Sequence, residues 1–402
     1  MSYWSFHTAG EIVFGRGVIR RLGRHAAERG LRRLFIVTDR QLEAAGALER
    51  TTESLDAANI EWQAFTGGEA EPSIEAANDC RRLAASFSPD GVLGLGGGSN
   101  MDLAKIVSTL LAHGGDPPDY FGPNRVPGPV LPIICVPTTA GTGSEVSHSG
   151  VLTDCLNAVK VSTLSNYLRP ALAIVDPELT LTCPRRVTAE SGIDALVHAI
   201  EAYTNRGNAD LDFSVDDTAR PTYFGAQPLT DTLAEQAIRL VGRHLRIAVE
   251  SPREYSAREG MALAAMLAGM AFSNAGVALV HALEYPIGGA TGCGHGAGNG
   301  LLLPQVMRFN LPNRLARFAR IAKWLGVDTR RITELQAAEA AVEAVESLNQ
   351  QIGVPRQLRE LGAEREQLPD FAAATFEIKR LLAINPREAT EQDLLEILRA
   401  AY

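Results

Sequence analysis

The stretch from Gly192 to Tyr203, GIDALVHAIEAY, places a carboxylate and an imidazole four residues apart in a run that otherwise suits a buried helix. On a helix, residues at i and i+4 stack on one face, so Asp194 and His198 present an oxygen and a nitrogen to the same point, as metal ligands would. Further on, ALVHALEYPIGGATGCGHGAGNG carries His281 and His295, the second in a glycine-rich turn that can bring it back beside the first. One carboxylate and three imidazoles suit a borderline divalent ion, Fe(II) and Zn(II) nearly equally, with positions left open for substrate. The competing reading is a buried polar network, which one Asp/His pair fits well and four such residues in apolar surroundings fit less well. His7, His25, His113, His148 and His244 lack comparable company. Leu196, Val197 and Leu283 read as core rather than as cleft lining.

Two glycine-bearing stretches follow apolar runs. In GLGGGSNMDLAKI, Gly94 to Ile106, a strand should end at Gly96, Gly97 and Gly98 and a helix begin, with Ser99 capping the first turn and Asp102 capping back. Such a turn lets backbone N–H groups meet a pyrophosphate, although the spacing departs from GxGxxG and a plain strand-to-helix turn explains the glycines equally well. In VPTTAGTGSEVS, Val136 to Ser147, Thr138, Thr139, Thr142 and Ser144 offer hydroxyls beside Gly141 and Gly143. Asp39 ends the run RLFIVTD, where a carboxylate accepts from ribose hydroxyls and repels a 2′-phosphate, favouring NAD over NADP. A lone aspartate at a strand end is also a common helix cap.

The elements that must position these residues change character along the chain. Up to about residue 186, β-rich runs (LRRLFIVTD, IEWQAF, GVLGLGGG, PVLPIICVPTT) alternate with helical ones, the pattern of a parallel sheet covered on both faces. From residue 187 to 402 the strand signals vanish and apolar residues recur at helical spacing. The expected architecture is an α/β dinucleotide-binding domain over residues 1–186, followed by an all-α metal and substrate domain over 187–402. Residues 206–228 have no steady period and read as a long loop or lid, in which Arg206 or Arg220 could pair with a substrate carboxylate, although solvated arginines are commoner.

With 46% hydrophobic and 21% charged residues over 402, the chain can bury two full cores. Its net charge of −9 and lack of a basic patch argue against nucleic acid or an anionic membrane as partner. No signal-like start or membrane-length apolar run is visible, so the expected location is cytoplasmic. Five scattered cysteines without CxxC spacing read as reduced.

GGGSNMDLAK, PTTAGTGSEV, the Asp194-to-His198 helix and the His281-to-His295 pair together resemble the iron-containing (group III) alcohol dehydrogenases, from FGRG near residue 14 through LLLPQVMRFN at 301–310. The resemblance implies a nicotinamide-binding domain, a helical metal domain and an active site in the cleft between them. It implies Fe(II) at Asp194, His198, His281 and His295, cofactor contacts at Gly97, Gly98, Ser99, Thr138 and Thr139, and NAD preference at Asp39. The implied reaction is hydride transfer between a small alcohol and an aldehyde or ketone, by an enzyme compatible with a homodimer. Two departures stand out. Many members carry a second histidine, proposed to relay protons, where this chain has Tyr285. The segment ARPTYFGAQPLTD resembles an insertion of the hydroxyacid–oxoacid transhydrogenase branch, making a hydroxy-acid substrate the alternative. A lyase like the related dehydroquinate synthases should need a denser set of Lys and Arg, and a non-catalytic binding protein on the same scaffold is the remaining alternative.

Overall fold

The computed structural model describes residues 3–155, 159–211 and 221–402. The chain forms two compact units, His7–Cys183 and Met1–Phe6 with Pro184–Tyr402. Tyr3 joins the second: its carbonyl accepts from Asn208 Nδ2 at 3.0 Å and its ring meets Phe224 edge-on at 5.8 Å.

The first unit contains strands β1 (Ile12–Phe14), β2 (Arg33–Val37), β3 (Glu61–Phe65), β4 (Gly91–Gly96), β5 (Gly122–Pro123), β6 (Ile133–Pro137), β7 (Ser149–Asp154), β8 (Val159–Leu164) and β9 (Leu172–Val175). Six form a sheet in the order β1-β9-β6-β4-β2-β3, every pairing parallel. Alternate residues feed opposite cores. Leu34, Ile36, Leu93 and Leu95 join one cluster, and Phe35, Val37 and Val92 join the other with residues of the helices Ile74–Phe87 and Gly98–His113. Sheet order runs outward from β2 to β3 and the other way through β4, β6 and β9, so the carboxyl ends of β2 and β4 flank a topological switch point, where ligands of such sheets bind. One feature breaks the alternation: β7 and β8 pair antiparallel in a small second sheet with β5.

The second unit is helical. Its central helix, Arg185–Thr204, is buried nearly all round from Gly192 onward, and Ile193, Leu196, Val197 and Ile200 are essentially inaccessible. Each such side chain contributes about 1.5–3 kcal/mol on burial, which offsets the cost of burying the polar Asp194, His198 and Glu201 on the same helix. Around it lie Pro228–Glu250, Tyr255–Ala275, Leu279–Thr291 and His295–Asn310. No single helix among the described residues is long and apolar enough to cross a membrane.

The segment expected as a loop or lid is partly a packed element. Tyr223, Phe224 and Ala226 are buried, Phe224 N–H donates to Asn274 O at 2.8 Å, and Ala226 N–H donates to Arg206 O at 2.9 Å. Buried aromatics and paired backbone tie these residues to the bundle, a contact between distant segments that local periodicity does not register. Arg206 donates to the carbonyls of Ala383 and Asp210 at 3.4 and 3.2 Å. Arg220 lies outside the described residues.

Candidate functional site

In the helical unit, Asp194 and His198 sit mid-helix, one turn apart, and His281 lies in the first turn of Leu279–Thr291. His295 is the first residue of His295–Asn310. Gly296 lets that helix start close to the Asp194 helix, because a Cβ there would lie 1.9 Å from Glu190 O. Asp194, His281 and His295 each direct a ligand atom to one place, all within 4.8 Å of one another. The Nε2 atoms of His281 and His295 are 3.8 and 3.9 Å from Asp194 Oδ1. His198 stands beside this trio rather than in it: its Nδ1 is 3.7 Å from Asp194 Oδ2, and its ring stacks between Phe272 at 4.2 Å and His281 at 4.8 Å.

Each imidazole of the trio is backed by a carboxylate that the spacing argument missed. Glu201 Oε2 lies 2.6 Å from His281 Nδ1 and also Glu201 Oε1 accepts from Val280 N–H, while Glu284 Oε2 lies 2.5 Å from His295 Nδ1. An ionised carboxylate only accepts, so Nδ1 carries the ring proton and Nε2 turns its lone pair to the centre. This backing of a ligating histidine is the usual second layer of a metal site.

Asn299 occupies the centre. Its Nδ2 is 2.8 Å from Asp194 Oδ1, 3.2 Å from His281 Nε2 and 3.1 Å from His295 Nε2. An amide nitrogen has two protons to offer, so three acceptors share two donors, and Asn299 Oδ1 is buried without a partner among the described residues. The set is short of positive charge, and its oxygen and nitrogen donors fit a borderline divalent ion. Burial alone would push the Asp194 carboxyl up, yet the facing rings of His198, His295 and His281 and the Asn299 amide hold it below the usual carboxylate range. The same rule that singled out Asp194 and His198 reaches the missed residues: Glu201 is seven positions after Asp194, Glu284 three after His281 and Asn299 four after His295.

In the α/β unit the loops after β2, β4 and β6 converge. Thr138 N–H donates to Gly96 O at 2.9 Å, and Thr139 and Thr142 lie against Gly97 and Gly98. Only glycine fits at 98, where a Cβ would lie 2.7 Å from Thr142 Cγ2. The helix after β4 begins at Gly98 with Gly97 as its cap, leaving first-turn N–H groups at the switch point as a phosphate-sized anion requires.

The expected reciprocal cap of Ser99 and Asp102 does not form. Ser99 Oγ donates to Ala70 O at 2.6 Å. Asp102 instead accepts from Ser144 Oγ at 2.5 Å and Val151 N–H at 3.0 Å. Nearby, the fully buried Lys105 ammonium, 3.7 Å from Asp102, donates to Ser144 O, Ser144 Oγ, Ser147 Oγ and Ser149 O at 2.7–3.1 Å. A glycine cap needs no side chain, and the buried charge of Lys105 claims Asp102 more strongly than an exposed helix start would. Burial pushes the neighbouring Glu145 carboxyl up to about 7, against its own backbone N–H and Lys105.

Asp39 is a helix cap as well as a strand end. Its Oδ1 accepts from the N–H groups of Gln41 and Leu42 at 2.8 and 3.0 Å, and its Oδ2 accepts from Asn100 Nδ2 at 2.7 Å, joining the turn after β2 to the helix after β4.

Residues 9–177 match the family model described as iron-containing alcohol dehydrogenase, and residues 222–402 match the C-terminal model of the same family. The chain is 35% identical over 389 residues to the NAD-dependent methanol dehydrogenase of Bacillus methanolicus, covering 97% of each. It superposes on a solved 1,3-propanediol oxidoreductase with a TM-score of 0.92 at 35% identity, covering 100% of both chains. Against the sulfoacetaldehyde reductase of Bifidobacterium kashiwanohense, solved with NAD+, the TM-score is 0.86 at 30% identity, covering 100% of this chain and 99% of the other.

Proposed function

Because the chain belongs to the iron-containing alcohol dehydrogenase family, we propose that it interconverts a small alcohol and its aldehyde using NAD and Fe(II). The observation that carries the reading is the shortage at Asn299, where two N–H protons face three acceptors, two of them buried and one partly so. The relatives named above act on methanol, propanediol and sulfoacetaldehyde, and one was solved with NAD+.

Asp194, His281 and His295 would hold the ion, with His198 beside them as the proposed fourth ligand. When bound, the ion supplies Lewis acidity for the alcohol or carbonyl oxygen, and the nicotinamide supplies the hydride acceptor or donor. Glu201 and Glu284 keep the two imidazoles in the tautomer whose proton is on Nδ1 and whose lone pair is on Nε2. Phe272 holds the His198 ring by stacking. Tyr285 takes the place of the relay histidine, but burial pushes its phenol far above the usual range, so it stays protonated rather than relaying a proton. In the α/β unit, the N–H groups at Gly98 and Ser99 and the hydroxyls of Thr138, Thr139 and Thr142 would hold the pyrophosphate, with Gly97 giving it room. Asp102 acts on that site through Ser144 and the loop.

The test is NADH formation from a panel of primary alcohols, before and after exhaustive chelation and after Fe(II) or Zn(II) is returned. Turnover that vanishes with the metal and returns with Fe(II) supports the reading. Full activity in metal-free protein overturns it.

A further inference from the structure

Arg380 lies in the short helix Lys379–Leu382 of the helical unit. Its guanidinium stands over Tyr223, 5.4 Å from the ring centroid, and its Nη1 is buried with no hydrogen-bond acceptor among the described residues. A guanidinium carries five N–H donors in a rigid fork, and a buried donor without an acceptor is rare enough to demand an explanation. A ring face offsets part of the charge but supplies no oxygen in line with the N–H.

The position ties this donor to the acceptor cluster. The short helix Lys379–Leu382 packs against Leu279–Thr291, the helix that carries His281 and Tyr285; Tyr285 is one turn beyond His281, and its ring stacks on His295 with centroids 6.3 Å apart. Tyr223, the ring under Arg380, packs on Gly276 shortly before the His281 helix: a Cβ at Gly276 would meet Tyr223 Cγ at 2.9 Å. Arg380 is thus held over Tyr223 on a short helix that packs against the His281 helix, with one guanidinium nitrogen unsatisfied, while Arg206 is committed to backbone carbonyls.

We propose that Arg380 determines substrate specificity by binding an anionic group, so that the enzyme prefers a short aldehyde or alcohol carrying a carboxylate or sulfonate to its neutral analogue. This rests on the reading of Asp194, His281 and His295 as the place where the reacting oxygen is held. Either anion offers two oxygens to the guanidinium fork. A neutral methyl leaves Nη1 desolvated and unpaired, so discrimination comes from a penalty on the wrong substrate as well as a gain with the right one.

The test measures NADH oxidation by the Fe(II)-loaded protein with succinic semialdehyde against butanal, and with sulfoacetaldehyde against acetaldehyde, in wild type, Arg380→Gln and Arg380→Lys. Thermal unfolding with and without succinate, which does not react, gives a second readout. Wild type should favour the anionic member of at least one pair, and the pair it favours tells carboxylate from sulfonate. That preference should fall by about 10- to 100-fold in Arg380→Gln while the neutral aldehyde is almost unaffected, with Arg380→Lys in between. For a carboxylate site, succinate should raise the melting temperature of wild type and not of Arg380→Gln. A wild type that prefers both neutral aldehydes, or equal losses for both members of a pair, overturns the proposal. If Arg380→Gln does not fold, Arg380→Lys decides, since an unchanged preference there removes the role of the fork. Should no aldehyde turn over at all, the proposed function has failed, and the anion site stands or falls on whether succinate or isethionate stabilises the protein through Arg380.

Discussion

The amide nitrogen of Asn299 lies 2.8 Å from Asp194 Oδ1, and from that position it also faces both Nε2 atoms of the histidine pair. It bridges three acceptors that would otherwise face one another across a buried space. Asn299→Ala should therefore lower the melting temperature of chelated protein, and added Fe(II) or Zn(II) should raise it by more than in wild type. Scanning calorimetry with and without metal checks this. A variant whose chelated form is as stable as wild type would show that the bridge contributes nothing.

Glu201 and Glu284 fix the tautomers of His281 and His295 without facing the centre themselves. Glu201→Gln and Glu284→Gln should each weaken metal binding by about 10- to 100-fold, measured by competition with a chelator of known affinity. His281→Ala and His295→Ala should abolish stoichiometric binding. An unchanged affinity in both glutamine variants would mean that the imidazoles need no backing.

Asp39 combines two roles that one substitution would confuse. Asp39→Gly removes the charge and also the cap, whose loss costs about 1 kcal/mol or less. Asp39→Asn keeps a capping oxygen and a partner near Asn100 while removing the negative charge. Both should raise kcat/KM for NADP relative to NAD, and only the glycine variant should also melt earlier. Equal use of the two cofactors by wild type would show that the Asp39 charge does not discriminate.

Lys105 is buried among serine oxygens and Asp102, and Lys105→Met keeps its volume while leaving that carboxylate without its cation. The expected loss is about 3–5 kcal/mol in urea unfolding. A double variant, Lys105→Met with Asp102→Asn, should recover part of it. No recovery would place the loss in the serine contacts.

Glu145 links stability to pH in the opposite sense from a paired carboxylate. Its folded pKa, about 7, lies above the ordinary value of 4.5, so the folded state holds this proton more tightly than the unfolded chain does. The contribution is complete below about pH 4.5 and is lost as pH rises through 7. Relative to wild type, Glu145→Gln should gain stability as pH rises from 4.5 to about 7 and hold that gain above it, read as the difference in melting temperature between the two. A constant difference across that range would show that Glu145 does not titrate there.

The sequence alone determined what is periodic and local. Four-residue spacing put Asp194 and His198 on one helix face, alternating strand and helix patterns implied a parallel sheet, and glycines at 96–98 marked the turn after β4. Each follows from backbone geometry within a few residues. Tertiary structure decided which groups meet. Asn299 reaches Asp194 across 105 residues and Glu201 reaches His281 across 80, so their roles depend on how helices pack rather than on the spacing within any one of them. Asp102 was legible as an acid in a helix start, but its partner was set by Lys105, whose burial is a property of the folded unit. The same holds for residues 223–226, where turn residues suggested a loop and two buried aromatics made it part of the bundle. A side chain's type and face are written locally, whereas its partner depends on burial, which makes an unpaired donor or charge costly and exists only once distant segments have packed.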